Sequence, residues 1–138
     1  MDKANFVEKH VPTVVDNYSR SVGKLDYDGI EREITLHVKD IGNLFIENAD
    51  KKEKFIGDQD AFLICFDLTD EDSFDRISKH ISLVQSIYYQ MQGGVPTILV
   101  GCKKDLEKQR VIAFDEAEKM ADCFNCPYIE ASAKQSIS

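Results

Sequence analysis

Ile34, Leu36 and Val38 alternate with Thr35 and His37, the period of two expected of a half-buried strand, with His37 turned away from the apolar face. Upstream, residues 18–27 mix polar and apolar positions in a weaker extended pattern. Asp28-Gly29 between them supplies residues that accept positive φ, so the pattern predicts a hairpin. Residues 42–60 are charged and irregular and read as a loop with one helical turn. Residues 61–66 then form a continuous apolar run whose length and bulk predict a strand covered on both faces. Asp67, Thr69, Asp70 and Ser73 break it and offer N-cap side chains. Phe74, Ile77, Ile81, Val84, Tyr88 and Met91 follow at spacings of three and four, with Ile87 widening the stripe, which predicts an amphipathic helix closed by Gly93-Gly94. A second buried strand is predicted over 96–101. A helix capped by Asp115 and bearing Ala117, Met120, Ala121 and Phe124 comes next, and then a third apolar strand over 127–131.

Strands alternating with helices predict a mostly parallel sheet with helices on both faces. Ligands of such sheets sit beyond the carboxyl ends of the strands, which directs attention to the loops after Val38, Val100 and Ala131. The 138 residues suffice for a single domain. Seventeen Lys and Arg against twenty-five Asp and Glu give a formal charge of -8, so nucleic acid is excluded as the expected partner. No apolar run is long enough to span a bilayer, and the first residues show neither a signal-peptide core nor a myristoylation glycine. The last residues carry no prenylation box, so this chain is expected to have no membrane anchor of its own. Four cysteines without an export signal suggest reduced thiols and a cytoplasmic location, membrane-peripheral only with a lipidated tail. Cys123 and Cys126 form a C-x-x-C pair, yet no second pair or neighbouring His completes a zinc site, and ordinary thiols are expected.

Two of these loops carry chemistry. In Gly101-Cys102-Lys103-Lys104-Asp105-Leu106 the carboxylate of Asp105 can accept parallel hydrogen bonds from a planar N–H/NH2 edge, while the Lys103 stem lies along a ring. Guanine presents such an edge through N1–H and its exocyclic amine. In Glu130-Ala131-Ser132-Ala133-Lys134 small side chains let backbone N–H groups approach a ligand, and one of them could bond a carbonyl oxygen such as guanine O6.

Four segments in order, FVEKHVPTVVDNY at 6–18, FLICFD at 62–67, VPTILVGCKKDL at 95–106 and EASAK at 130–134, resemble the Ras superfamily of small GTPases. The resemblance implies a P-loop-NTPase-like α/β fold, here a single incomplete domain over 1–138, trimmed at both ends of its usual element order. It also implies a GTP-binding molecular switch in signal transduction. Nucleotide-binding roles would fall to Phe6, Thr13, Cys102, Lys103, Asp105, Ser132, Ala133 and Lys134. Phe6 would pack edge-on against guanine, and the Ala133 N–H would meet O6. Thr13 and Asp40 would hold Mg2+, the latter through water. Val14, Val15, Asp16, Asn17 and Tyr18 would form the effector surface, and the partners would be protein effectors and regulators. Features of both the Ras-like and the Rho-like branch are present.

Departures from the family pattern sharpen the expectation. No G-x-x-x-x-G-K-[ST] phosphate loop occurs in these residues, so GTP or GDP with Mg2+ would need an anion nest that they do not spell. The family's D-x-x-G reads Asp40-Ile41-Gly42-Asn43, where an Asn Cβ hinders close approach to a phosphate. Leu44 stands where a water-orienting glutamine belongs, so no catalytic residue is assigned. Cys102 replaces the usual Asn or Thr with a weakly bonding thiol. The alternative is a non-enzymatic interaction module, a pseudo-GTPase that keeps the switch I-like surface.

Overall fold

A computed structural model describes residues 15–42, 56–89 and 94–135. The chain divides into two compact units, one containing the hairpin within Val7–Lys52 and the other built from Glu53–Ser138 with Met1–Phe6.

The hairpin joins β1 (Val15–Tyr27) to β2 (Ile30–Ile41) in antiparallel register from Val15↔Ile41 to Tyr27↔Ile30. Its two-residue turn has positive φ at both positions, 57° at Asp28 and 74° at Gly29, as a type I′ turn requires. The register shifts between Ser21 and Gly23, leaving Val22 as the extra residue of a β-bulge. That bulge reverses the alternation along β1, so Tyr18 and Leu25 share a face with Ile34, Leu36 and Val38. The strands run longer than the alternation predicts, with β1 beginning at Val15 rather than 18. The half-buried expectation for β2 fails at Leu36 and Val38, which are exposed. A two-stranded ribbon has no second layer of its own to cover a face.

The second unit is a parallel sheet in the order β3 (Phe62–Asp67), β4 (Thr97–Cys102), β5 (Tyr128–Glu130). Between them lie α1 (Glu71–Asp75), α2 (Ile77–Tyr88), a 3-10 turn (Lys104–Gln109) and α3 (Phe114–Cys123). Arg76 joins α1 to α2 with φ -75° and ψ -16°, so the predicted apolar stripe runs through both. Phe74, Ile77, Ile81, Val84 and Tyr88 are all buried, while Met91 lies outside the described residues. The core gathers on the sheet face of Ile64, Phe66 and Leu99, with Ala117 and Ala121 of α3 and Ile112 completing it. The Tyr88 hydroxyl accepts from the Gln59 N–H at 3.0 Å and lies 2.6 Å from the Ile56 carbonyl, which ties the segment before β3 to α2.

Three local expectations are corrected. The apolar run of β3 is covered on one face only: Leu63 is 63% exposed and Cys65 is exposed on the other. An apolar run gives bulk but no periodicity, so it could not say that only alternate positions meet the core. α3 starts after Ala113, not Asp115; Asp115 and Glu116 instead occupy its first turn, where carboxylates favour the helix dipole. Asp70 occupies the N-cap of α1 without a side-chain cap bond, and Ser73 Oγ donates to the Asp70 carbonyl at 2.8 Å. At the end of α3, Asn125 has φ 53°, and the Cys126 N–H bonds the Ala121 carbonyl at 3.0 Å while Asn125 N–H bonds Asp122. This is a Schellman closure, and the C-x-x-C pair brackets it.

Candidate functional site at the carboxyl edge of the parallel sheet

β4 ends at Cys102, and the chain turns at once through Lys103, which sits in the left-handed region at φ 64° and ψ 36°. A lysine there is uncommon and costs on the order of 1 kcal/mol, so the surrounding bonds must impose it. They do. Leu68 N–H bonds the Cys102 carbonyl at 3.1 Å, and Lys104 N–H bonds the Ala131 carbonyl at 3.1 Å. Leu106 N–H returns to the Lys103 carbonyl at 2.9 Å. Ala131 N–H reaches the Gly101 carbonyl at 2.8 Å, so the loops after β4 and β5 are stitched backbone to backbone.

Side chains complete the join. Ser132, 2% exposed, donates from Oγ to Asp105 Oδ1 at 2.6 Å and accepts the Gln135 N–H at 3.1 Å. The hydroxyl pins the half-buried Asp105 carboxylate, whose second oxygen and remaining lone pairs can still serve a ligand. Lys103 Nζ lies 2.5 Å from Asp67 Oδ2. Burial raises the Asp67 carboxyl, but hydrogen bonds from Lys103 and from the Thr69 side chain and N–H outweigh it and hold the group below its ordinary range. With the lysine side chain 56% exposed, this pair contributes little stability and chiefly aims the ammonium.

Beneath the loops lies a clamp. Arg110 Nη1 and Nη2 donate to Glu130 Oε1 and Oε2 at 2.7 and 2.9 Å, while its Nε donates to Glu107 at 3.0 Å. Tyr128 donates its hydroxyl to Glu130 Oε1 at 2.9 Å. The Arg110 hydrogen bonds foremost, working against burial, hold Glu130 below the usual carboxylate range. Burial first, then the bond to Glu130, pushes the Tyr128 phenol up. Glu130 belongs to β5 and Arg110 follows the 3-10 turn, so the clamp fixes the separation of the two loops.

Of the residues expected at the site, the structure brings Lys103, Asp105 and Ser132 together, with Cys102 leading into the turn and Ala133 and Lys134 exposed just beyond. Asp40 and Val15, Asp16, Asn17 and Tyr18 lie on the hairpin, in the other compact unit. Phe6, Thr13 and Val14, like Asn43 and Leu44, lie outside the described residues. Asp40 pairs across the hairpin with Asp16, so two carboxyl-bearing residues face each other there. Of the two residues expected to hold Mg2+, Asp40 lies near the end of β2 and Thr13 lies outside the described residues. Sequence reasoning missed Asp67 as the partner of Lys103 and the Arg110–Glu130 clamp. Each joins residues far apart along the chain: Lys103 follows Cys102, which pairs with Asp67 across the sheet, and Arg110 is brought in by the segment after the 3-10 turn, where Val111 N–H bonds the Leu68 carbonyl.

A parallel sheet with helices between its strands defines an α/β domain. The chain belongs to the Ras family, whose family model matches residues 2–138. It is similar to Ras-like protein 1 of Saccharomyces cerevisiae, with 28% identity over 133 residues, covering 96% of this chain and 40% of that protein. The chain therefore spans less than half the length of this relative.

Proposed function

We propose that this chain carries the guanine-reading part of a GTP-binding molecular switch. The observation that supports it is the Ser132–Asp105 hydrogen bond of 2.6 Å, which holds a carboxylate at the strand ends beside Lys103. Asp105 would accept guanine N1–H and the exocyclic amine, and the Lys103 stem would lie along the ring. The Ala133 N–H would meet O6, with Lys134 at the rim and Phe6 against the edge. GTP and GDP, with Mg2+ held by Thr13 and Asp40, would be the ligands of the switch. Residues 14–18 would meet protein effectors and regulators in cytoplasmic signalling. No helix among the described residues is long and apolar enough to cross a membrane.

Triphosphate affinity in such a switch comes from a ring of backbone N–H groups at a glycine-rich turn, and these 138 residues contain no such motif. The base contacts alone support binding on the order of 1 mM. NMR titration of the labelled chain tests this directly. Guanosine, GDP and GTP should shift the resonances of Lys103, Asp105, Ser132 and Ala133 with affinities within about threefold of one another. Asp105→Asn, which replaces an acceptor by an amide donor, should weaken guanosine about 100-fold and favour xanthosine, whose C2 carbonyl accepts that donor. GTP binding far tighter than guanosine would defeat the base-only reading. Silence at these loops with every ligand would defeat the nucleotide reading itself.

One observation favours the second reading, a non-enzymatic interaction module. The Cys102 thiol donates weakly to the carbonyl of Val100 on its own strand at 4.0 Å, where the family's usual Asn or Thr would offer stronger hydrogen-bonding atoms.

A further inference from the structure

Four thiols lie in four different environments, and two of them meet. Cys65 pairs in register with Val100, and Asp67 with Cys102, so Cys65 and Cys102 stand diagonally on adjacent strands. Alternation puts both on the sheet face opposite the core, where Cys65 is exposed and Cys102 half-buried. The Cys102 thiol donates weakly to the carbonyl of Val100 on its own strand at 4.0 Å. Hydrogen bonding with the neighbouring Cys65 side chain, more than any other influence, draws the Cys102 thiol below its ordinary range, against burial and the Asp67 carboxylate and with help from the Lys103 ammonium. Cys126 lies among apolar neighbours, and burial pushes its thiol up. Cys123 sits exposed on α3.

We propose that Cys65 and Cys102 form a peroxide-oxidisable pair, in which the Cys102 sulfur reacts first and Cys65 resolves it into a disulfide between β3 and β4. The Cys102 thiolate attacks a hydroperoxide oxygen: an S–O bond forms, the O–O bond breaks, and the leaving oxygen departs as water or alcohol after taking a proton. The sulfur is then a sulfenic acid. Cys65 gives up its proton and attacks that sulfur, so an S–S bond forms, the S–O bond breaks and water leaves. Two thiols lose two electrons and the peroxide gains them. A reactive thiol that is partly accessible, beside a cation and next to a second thiol, meets the conditions for selective oxidation. The link would close one residue before Lys103. The inference stands on the sheet register and does not depend on nucleotide binding.

The test uses the 138-residue chain, fully reduced, given limiting hydrogen peroxide, then alkylated and digested for mass spectrometry. The expected result is a linked Cys65–Cys102 peptide, with Cys102 consumed about tenfold faster than Cys126. In Cys65→Ser the sulfenic acid should persist at Cys102 and be captured by dimedone. Because the wild-type chain contains its own comparison thiols, the test survives a variant that fails to fold. Oxidation of Cys123 or Cys126 ahead of Cys102 would overturn the proposal. So would a Cys102 adduct in the wild-type chain while Cys65 remains alkylatable.

Discussion

The hairpin and the three-stranded unit use the same apolar residue types to opposite effect. In β1 and β2, Leu25, Ile30, Leu36 and Val38 share a face and all remain exposed. In the second unit Leu99, Ile77 and Ala117 have no exposed surface. What holds the hairpin is the backbone ladder, the type I′ turn at Asp28-Gly29 and exposed pairs such as Lys24–Glu31 at 2.8 Å. What holds the second unit is burial, and burial also supports its site: Ser132 and Glu130 keep their hydrogen bonds away from competing water. Alternation along a strand therefore names a face but not whether anything covers it.

The sharpest way to break this contrast is a matched truncation. Leu99→Ala should destabilise the protein by about 3 kcal/mol, transfer and cavity terms combined. Leu36→Ala should cost less than about 0.5 kcal/mol. Urea unfolding of the two variants checks it, and equal losses would erase the distinction between the units.

Next in size is the clamp. Arg110→Met leaves the Glu130 carboxylate buried without its partner and should cost about 2 kcal/mol near neutral pH. The sign with pH follows from the depressed Glu130 carboxyl. Its contribution is present above the ordinary carboxyl value of 4.5 and is lost as pH falls through the lowered one. The gap between Arg110→Met and wild type should thus narrow on acidification below 4.5, as denaturant titrations at pH 7 and in acid would reveal. A gap that widens would contradict the clamp.

The smallest expected difference compares one substitution in two settings. At Gly101 a new Cβ would lie 2.7 Å from the Tyr128 hydroxyl and 2.9 Å from Leu68 Cδ2, so Gly101→Ala should cost about 2 kcal/mol and disturb the Tyr128–Glu130 bond. At Gly29 no atom lies within 4 Å, but φ is +74°, so Gly29→Ala should cost only about 1 kcal/mol through the backbone. Thermal unfolding ranks the two. NMR should place the first disturbance around Glu130 and the second at the hairpin turn.

Much of this was legible from residue order. The stripe from Phe74 to Tyr88, the turn at Asp28-Gly29 and the three parallel strands stand where periodicity and turn chemistry put them. These are local properties, set by the next few side chains and by the φ a residue tolerates. The pairing of Asp105 with residues after β5 was readable only as two loops of suitable chemistry, because the Ser132–Asp105 bond joins positions that are far apart along the chain. The exposed far face of β3, the bulge that puts Tyr18 and Leu25 on one side, the Lys103–Asp67 and Arg110–Glu130 pairs and the meeting of Cys65 with Cys102 had no local signal. Sequence order determined which segments become helix or strand and which loops follow the carboxyl ends of the strands. Strand register and packing alone decided which of those side chains touch, because contact between distant residues depends on neighbouring strands that no short window of sequence contains.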